Sequence, residues 1–372
     1  MNRKAFRSTL MRSALLAAVS AVLAAQAQAS TPQGELAVVT DFGLIDHQGV
    51  QHQLTRLGNN KAVAIIGQSN SCQENIDQLP KYKLMRTLWE KKGVKFLMIN
   101  ADQKDSLDAI RRIASVYDID FPILKDDSQL VAENLNLAKA GEIVVVNPTS
   151  LRVLYRGPLD RAPSAGGDGE GGAAPRSPVP QLLSGVLQKA VAGEEFKETI
   201  TVEHKGGCAY EFPAKAMHAK AAPDYAKDVA PILKDKCARC HVQGGIAPFA
   251  MDSYNMVRGF APMIKEVLLT KRMPPAQVDP HVNRFQNANY ISAEELQTLV
   301  HWIDAGAPRG NSKKDPMTEI KPLTDEWQLG PPDYIVEVPA FTVPATGVID
   351  YFNHVIDLPF DEDKYVRAVQ FI

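Results

Sequence analysis

Residues 237–241 read Cys-Ala-Arg-Cys-His, a short pattern with a definite chemistry. Two thiols at this spacing can add to the two vinyl groups of a haem, and the adjacent imidazole reaches the iron from the same turn of chain. The expected group is one covalent haem c, joined through Cys237 and Cys240, with His241 as an axial ligand of its iron. Two other chemistries use a close cysteine pair. Four-coordinate zinc wants two further thiols or imidazoles at short spacing, and the chain has no second close pair. A redox dithiol would follow a strand of an α/β domain and would not need His241.

The second axial position has several candidates. Met273 lies in Lys271-Arg272-Met273-Pro274-Pro275, where two prolines stop a helix and force an extended segment. Such a loop displays a thioether that can close over a haem face. Most methionines pack in cores, and Met251, Met256 and Met263 lie nearby. His281 or His301 would give bis-histidine ligation instead, and an open position is the remaining outcome. Beyond the close pair the chain has Cys72 and Cys208, too few for a disulfide scaffold.

These residues sit in a chain of 372, long enough for two or three domains. Its net charge of -2 gives no case for nucleic acid or an anionic membrane as partner. Arg3, Lys4, Arg7 and Arg12 precede an apolar run, Ala14 to Ala25, and then Ala27-Gln28-Ala29. That is the form of a signal peptide, 1–29, cleaved before Ser30. The run falls short of the roughly 20 residues that span a bilayer, and no later segment is apolar enough to span. The mature protein is expected to be exported, where haem attachment and disulfides are both feasible.

The elements follow from periodicity. Strands are expected at Ala62–Gly67, Lys95–Ile99, Glu142–Asn147 and Arg152–Arg156, with helices near 76–92 and 105–117, which makes residues 34–210 an α/β domain. Residues 162–180 are a Gly/Pro-rich insertion, followed by a helix at 181–192 and a strand near 198–203. From 222 to 312 the pattern is all helical. Pro231 predicts a helix start near Asp228. Ser292 and Glu295 form a capping box before Leu296, Leu299, Val300 and Ile303, with Gly306 as the stop. Apolar runs at Tyr334–Val338, Val348–Ile356 and Lys364–Ile372 predict strands, and the last leads us to expect a fragment of a longer chain.

The helical region resembles a family of bacterial periplasmic cytochromes in which a haem module follows a redoxin domain. The resemblance rests on Asp228-Val-Ala-Pro-Ile-Leu, Gly244-Gly-Ile-Ala-Pro-Phe, Arg272-Met-Pro-Pro and Trp302-Ile-Asp-Ala-Gly-Ala-Pro. It implies a periplasmic protein with Met273 as the distal ligand and Gly245, Pro248 and Phe249 lining the haem pocket. Ala276 stands where the family often has Trp.

Residues 34–210 resemble the thioredoxin superfamily in its peroxiredoxin-related branch. The carriers are Cys72 just after a strand, Asp120-Phe-Pro-Ile-Leu, and Val144-Val-Val-Asn-Pro followed by Tyr155-Arg-Gly. The resemblance implies a reactive position at Cys72 and a cis proline facing it, at Pro122. The second thiol of a dithiol enzyme is missing from Cys72-Gln-Glu-Asn. Ser69 supplies the hydroxyl of a peroxidase motif, but Ile65 replaces its proline. The helix after Cys72 would lower its pKa. Cys208, in a Gly-Cys that recurs in the redoxin–cytochrome family, is the candidate disulfide partner of Cys72. Separate inert cysteines and a reactive Cys72 alone are the other outcomes.

Residues 327–372 resemble the opening strands of copper type II, ascorbate-dependent monooxygenases, through Trp327-Gln-Leu-Gly-Pro-Pro-Asp-Tyr and Phe341-Thr-Val-Pro-Ala-Thr-Gly. That resemblance implies a copper domain downstream in a longer chain; His354 stands alone and is assigned no metal. The expected architecture is therefore multidomain: a thioredoxin-like α/β domain, an all-α cytochrome c domain and an incomplete β segment. Two functions compete. One is one-electron transfer through the haem to an unidentified redox partner. The other is thiol–disulfide or peroxide chemistry at Cys72, with the haem as relay.

Overall fold

The computed structural model describes residues 35–371 except 161–178, 276, 277, 279–284, 287, 325, 328, 343 and 348–352. The expected signal peptide, most of the Gly/Pro-rich insertion and His281 lie outside the described residues. A hairpin of β1 (Gly43–Ile45) and β2 (Gln51–Gln53) comes first. Then follow β3 (Ala62–Gln68), α1 (Gln73–Asp77), α2 (Leu79–Trp89), β4 (Val94–Asn100), α3 (Leu107–Val116), β5 (Ile123–Lys125) and α4 (Leu130–Asn134). The α/β part continues through β6 (Lys139–Ala140), β7 (Ile143–Val146), β8 (Val153–Gly157), α5 (Gln181–Ala192), β9 (Ile200–Thr201) and β10 (Cys208–Ala209).

The main sheet runs in the order β5-β4-β3-β7-β8-β9. β3, β4 and β5 are mutually parallel, whereas β7 is antiparallel to both β3 and β8. All seven residues of β3 are buried because both faces of the sheet are covered. Ala62, Ala64 and Ile66 face a cluster with Tyr82, Met85, Ile110 and Leu187 from α2, α3 and α5. Val63 and Ile65 face the opposite cluster, which includes Phe42, Leu130 and Val144. The period-2 alternation thus splits one strand between two cores.

Beyond β10, among the described residues, the regular elements are helical: α6 (Pro213–Lys220), a π-helical turn (Tyr225–Val229), α7 (Ala230–Lys236), α8 (Tyr254–Gly259), α9 (Ala261–Leu269), α10 (Ala293–Asp304) and a final short turn (Pro316–Glu319). The helical path begins at Tyr225, ahead of the start expected from Pro231. Asp224 caps it by accepting from the Ala226 and Lys227 amides, and Pro231 sits in the first turn of α7, where no amide is needed. The Ser292–Glu295 capping box forms with both its bonds.

Trp302 anchors this unit. It is 1% exposed, stacks on Tyr225 with ring centroids 5.7 Å apart, and donates from Nε1 to the Pro308 carbonyl at 2.9 Å. Trp302→Ala should therefore cost about 3–5 kcal/mol, read as a fall in the urea midpoint of unfolding. The helical unit also packs on the α/β part, with Leu269 and Val300 entering the cluster around α4.

The C-terminal strands are not formed: no strand lies among the described residues beyond Glu319. Val355 is 92% and Phe371 91% exposed. An extended run without a ladder partner leaves its amides to water, and isolated strands are not stable alone. Residues 348–352 of the second run lie outside the described residues.

Candidate functional site

The site residues expected from the sequence fall mainly in two groups. At the end of α7 the chain continues in one more turn: the Cys237 amide donates to the Leu233 carbonyl, and the Cys240 and His241 amides both donate to the Cys237 carbonyl. That turn carries Cys237, Cys240 and His241 on one short stretch of backbone. Cys237 and Cys240 are free thiols, each partly buried. Burial pushes the Cys237 thiol up to about 12, with Cys240 as the next cause.

His241 Nδ1 lies 3.0 Å from the Phe249 carbonyl. A carbonyl only accepts, so Nδ1 carries a proton, and in the neutral ring the lone pair is on Nε2. The Phe249 ring stands 4.6 Å from His241 and stacks on Phe260 at 3.8 Å. Gly245 turns the chain here, where a Cβ would run into the Cys240 carbonyl. Pro248 is exposed beside Phe249. Phe260 was not singled out from the sequence; its signal is a large apolar residue directly before the Ala261-Pro262 helix start.

Met273 lies on the loop after α9, 39% exposed, its amide donating to the Val267 carbonyl at 3.2 Å. Arg272 beside it pairs with Glu266. His301 is held elsewhere. Its Nδ1 meets His218 Nδ1 at 2.7 Å and its Nε2 meets Glu133 at 3.1 Å, so both ring nitrogens are engaged in the contact between α10, α6 and α4. Among the described residues no three His, Cys, Asp or Glu side chains group as a metal site.

The second group is at the end of β3. Cys72 is fully buried and joined by a disulfide to Cys208, with Cα atoms 5.7 Å apart. It is the residue that opens α1. Cys208 is exposed on β10, which pairs with β6, Cys208 opposite Ala140. The Gly207 amide donates to Glu74 Oε2 at 2.7 Å, and Gly207 takes a φ of +79°. A Cβ on Gly206 would overlap the Glu74 carboxylate, and one on Gly207 the Ala140 carbonyl. The double glycine is what lets this strand lie over the end of β3.

A polar network lies beneath. Ser69 Oγ donates to Asp102 at 2.8 Å, Asn100 donates to Gln68 and Asp105, and Lys125 donates to the Asp102 carbonyl at 2.7 Å. Burial holds Lys125 below its usual range. Asp102 lies below the usual carboxylate range: burial, its largest influence, raises it, but bonds from Lys104, Ser69 and Ser71 together outweigh that.

The Pro122 peptide bond is trans, not cis as expected; the cis peptide among the described residues is Met273–Pro274. Pro122 enters the edge strand β5, where its carbonyl accepts from the Met98 amide and its missing N–H is harmless. The segment alongside the end of β3 is 139–142, where Gly67 exchanges backbone bonds with Gly141 and Glu142.

His47, His204 and His218 all have pKa values lowered by burial, the first cause in each. The unfolded chain then binds more protons below pH 6.5, so their contribution to stability is present above that value and lost on acidification. Buried Asp126, raised to about 6, acts in the opposite sense. His204→Gln should therefore lose less stability than wild type between pH 7 and pH 5. Urea midpoints of the two proteins, compared so that Asp126 cancels, check this.

Residues 37–155 match the AhpC/TSA family. No curated protein matches the chain. Among solved structures, a hypothetical protein from Sinorhizobium meliloti 1021 is 19% identical, with a TM-score of 0.40, covering 49% of this chain and 96% of its own. A peroxidoxin BcpB from Mycobacterium tuberculosis is 19% identical (TM-score 0.29; 32% of this chain, 82% of its own). The thioredoxin domain of a thiol-disulfide oxidoreductase from Bacteroides vulgatus is 14% identical (TM-score 0.29; 32% and 85%). The AhpC/TSA match lies within the α/β part of the chain and marks residues 37–155 as similar to that family.

Proposed function

We propose that the chain is an exported, periplasmic one-electron carrier in which the redoxin domain is joined to a cytochrome c unit. Cys237 and Cys240 would hold the haem by thioether bonds, His241 would ligate through Nε2 and Met273 would be the distal ligand. The observation that carries the reading is the Nδ1 contact of His241 with the Phe249 carbonyl, which fixes the tautomer and leaves Nε2 available. The thiols need not converge with the imidazole on one ion, since in this reading they bond to carbon. When bound, the haem supplies an iron that cycles between ferric and ferrous states. The stacked Phe249 and Phe260 would exclude water from one side. No copper ligand is assigned in residues 327–372.

A visible spectrum of the purified protein tests this. A reduced c-type α band that survives denaturation is expected, and its absence overturns the reading. A weak long-wavelength ferric band would support methionine ligation.

A second reading, thiol–disulfide or peroxide chemistry, is favoured by the Cys72–Cys208 disulfide within a redoxin domain. Turnover of a dithiol or of peroxide that disappears in Cys72→Ser would support it.

A further inference from the structure

The thiol–disulfide reading leaves open which sulfur meets the partner. From sequence the reactive position is Cys72. The two half-cystines, however, sit in opposite surroundings. Cys72 is 0% exposed and belongs to the apolar cluster of Ile99, Leu137, Ala140 and Tyr210, whereas Cys208 lies on the surface in a two-residue strand.

Thiol–disulfide exchange needs the attacking sulfur, the attacked sulfur and the leaving sulfur close to one line. An attack on Cys72 must therefore approach from the side away from Cys208, through the packed interior. An attack on Cys208 approaches from the side away from Cys72, where the strand faces solvent. Access, together with which sulfur leaves, sets the exchange rate.

We infer that Cys208 is the entry sulfur of this disulfide, accepting the partner's thiolate, and that Cys72 is the buried leaving thiol. The inference rests on the thiol–disulfide reading. The thiolate of an external dithiol bonds to Cys208 Sγ as the Cys72–Cys208 bond breaks. The electron pair stays on Cys72, which then takes a proton. The partner's second thiolate attacks its own sulfur on Cys208, releases the Cys208 thiolate and closes the partner's disulfide. The dithiol loses two electrons and the chain's disulfide gains them.

The chain around Cys208 is built to stay in place during this exchange. Glu74 holds the Gly207 amide, the Tyr210 hydroxyl donates to the Gln68 carbonyl at 2.9 Å, and Gln129 donates to the Glu211 carbonyl at 2.8 Å. None of these bonds involves a sulfur, so the strand can present Cys208 with the disulfide open. Cys72 then remains covered, which shields its thiol from oxidants until that strand lifts.

The test uses the oxidised full chain, exposed briefly to glutathione, quenched in acid, unfolded with N-ethylmaleimide and mapped without reduction. Glutathione on the Cys208 peptide with maleimide on Cys72 is expected. Glutathione on Cys72 would overturn the inference while leaving the exchange reading intact. A disulfide untouched in the folded protein, yet reducible once unfolded, would sink both.

Because Cys72 can expel the adduct, single variants provide a second measurement. An aromatic disulfide should label Cys208 in Cys72→Ser about tenfold or more faster than Cys72 in Cys208→Ser. Equal rates, or a faster Cys72, would also overturn the inference.

Discussion

Replacing Cys237 and Cys240 together with alanine is expected to give a protein that retains no pigment through denaturation, whereas the parent, in the proposed haem-carrier reading, should retain one haem per chain. The effect would be all or none because each thioether would be a covalent bond, and Cys237 and Cys240 are the one closely spaced pair of cysteines in the sequence. A single Cys237→Ala variant would keep one attachment at Cys240 and should remain coloured, with a displaced reduced α band. Loss of colour from misfolding is separable, since the buried core of the helical unit is built from Tyr225, Leu233, Leu299, Trp302 and their neighbours. Its helical circular dichroism should therefore survive in the double variant. A double variant that stays coloured after unfolding would exclude these thiols as the attachment points.

Cys208→Ser is expected to cost about 2–5 kcal/mol of stability, toward the upper end because the bridge closes a loop of 136 residues. The open chain gains loop entropy in its unfolded state. The folded state keeps the Glu74, Tyr210 and Gln129 anchors around residues 207–211. Urea unfolding of the oxidised parent against the variant measures the difference. Adding a reductant to the parent should reproduce it, and a change below about 0.5 kcal/mol would mean that the bridge does not constrain the unfolded chain. This experiment reads stability alone and is independent of the order in which the two sulfurs exchange.

The pattern of success among the sequence expectations follows the range of the interactions involved. The strands at Ala62, Val94, Ile143 and Val153 were legible because their apolar runs end in turn residues. The α10 helix was legible from its capping box. The edge strand β5 was missed: three residues are too few for a period, and Asp120-Phe-Pro-Ile-Leu entered the sequence reading only through the family resemblance. Pro122 in that run was expected to be cis and to face Cys72; its peptide bond is trans and it leads into β5, separated from β3 by β4, since sequence pattern does not say which strands become neighbours. The C-terminal strands were expected from β-branched and aromatic residues alone, but a strand is completed by a ladder partner, and none pairs with them among the described residues.

The five-residue thiol and imidazole pattern, the alternation of strands and helices before it and the helical character after it are legible from the residues, because each depends on positions close to one another. The contact of His241 with the Phe249 carbonyl, the tie of His301 to Glu133 and His218, and the burial of Cys72 beneath an exposed Cys208 emerge only on folding. Those outcomes depend on packing between segments far apart in the chain, where burial and loop closure select partners that no local spacing records.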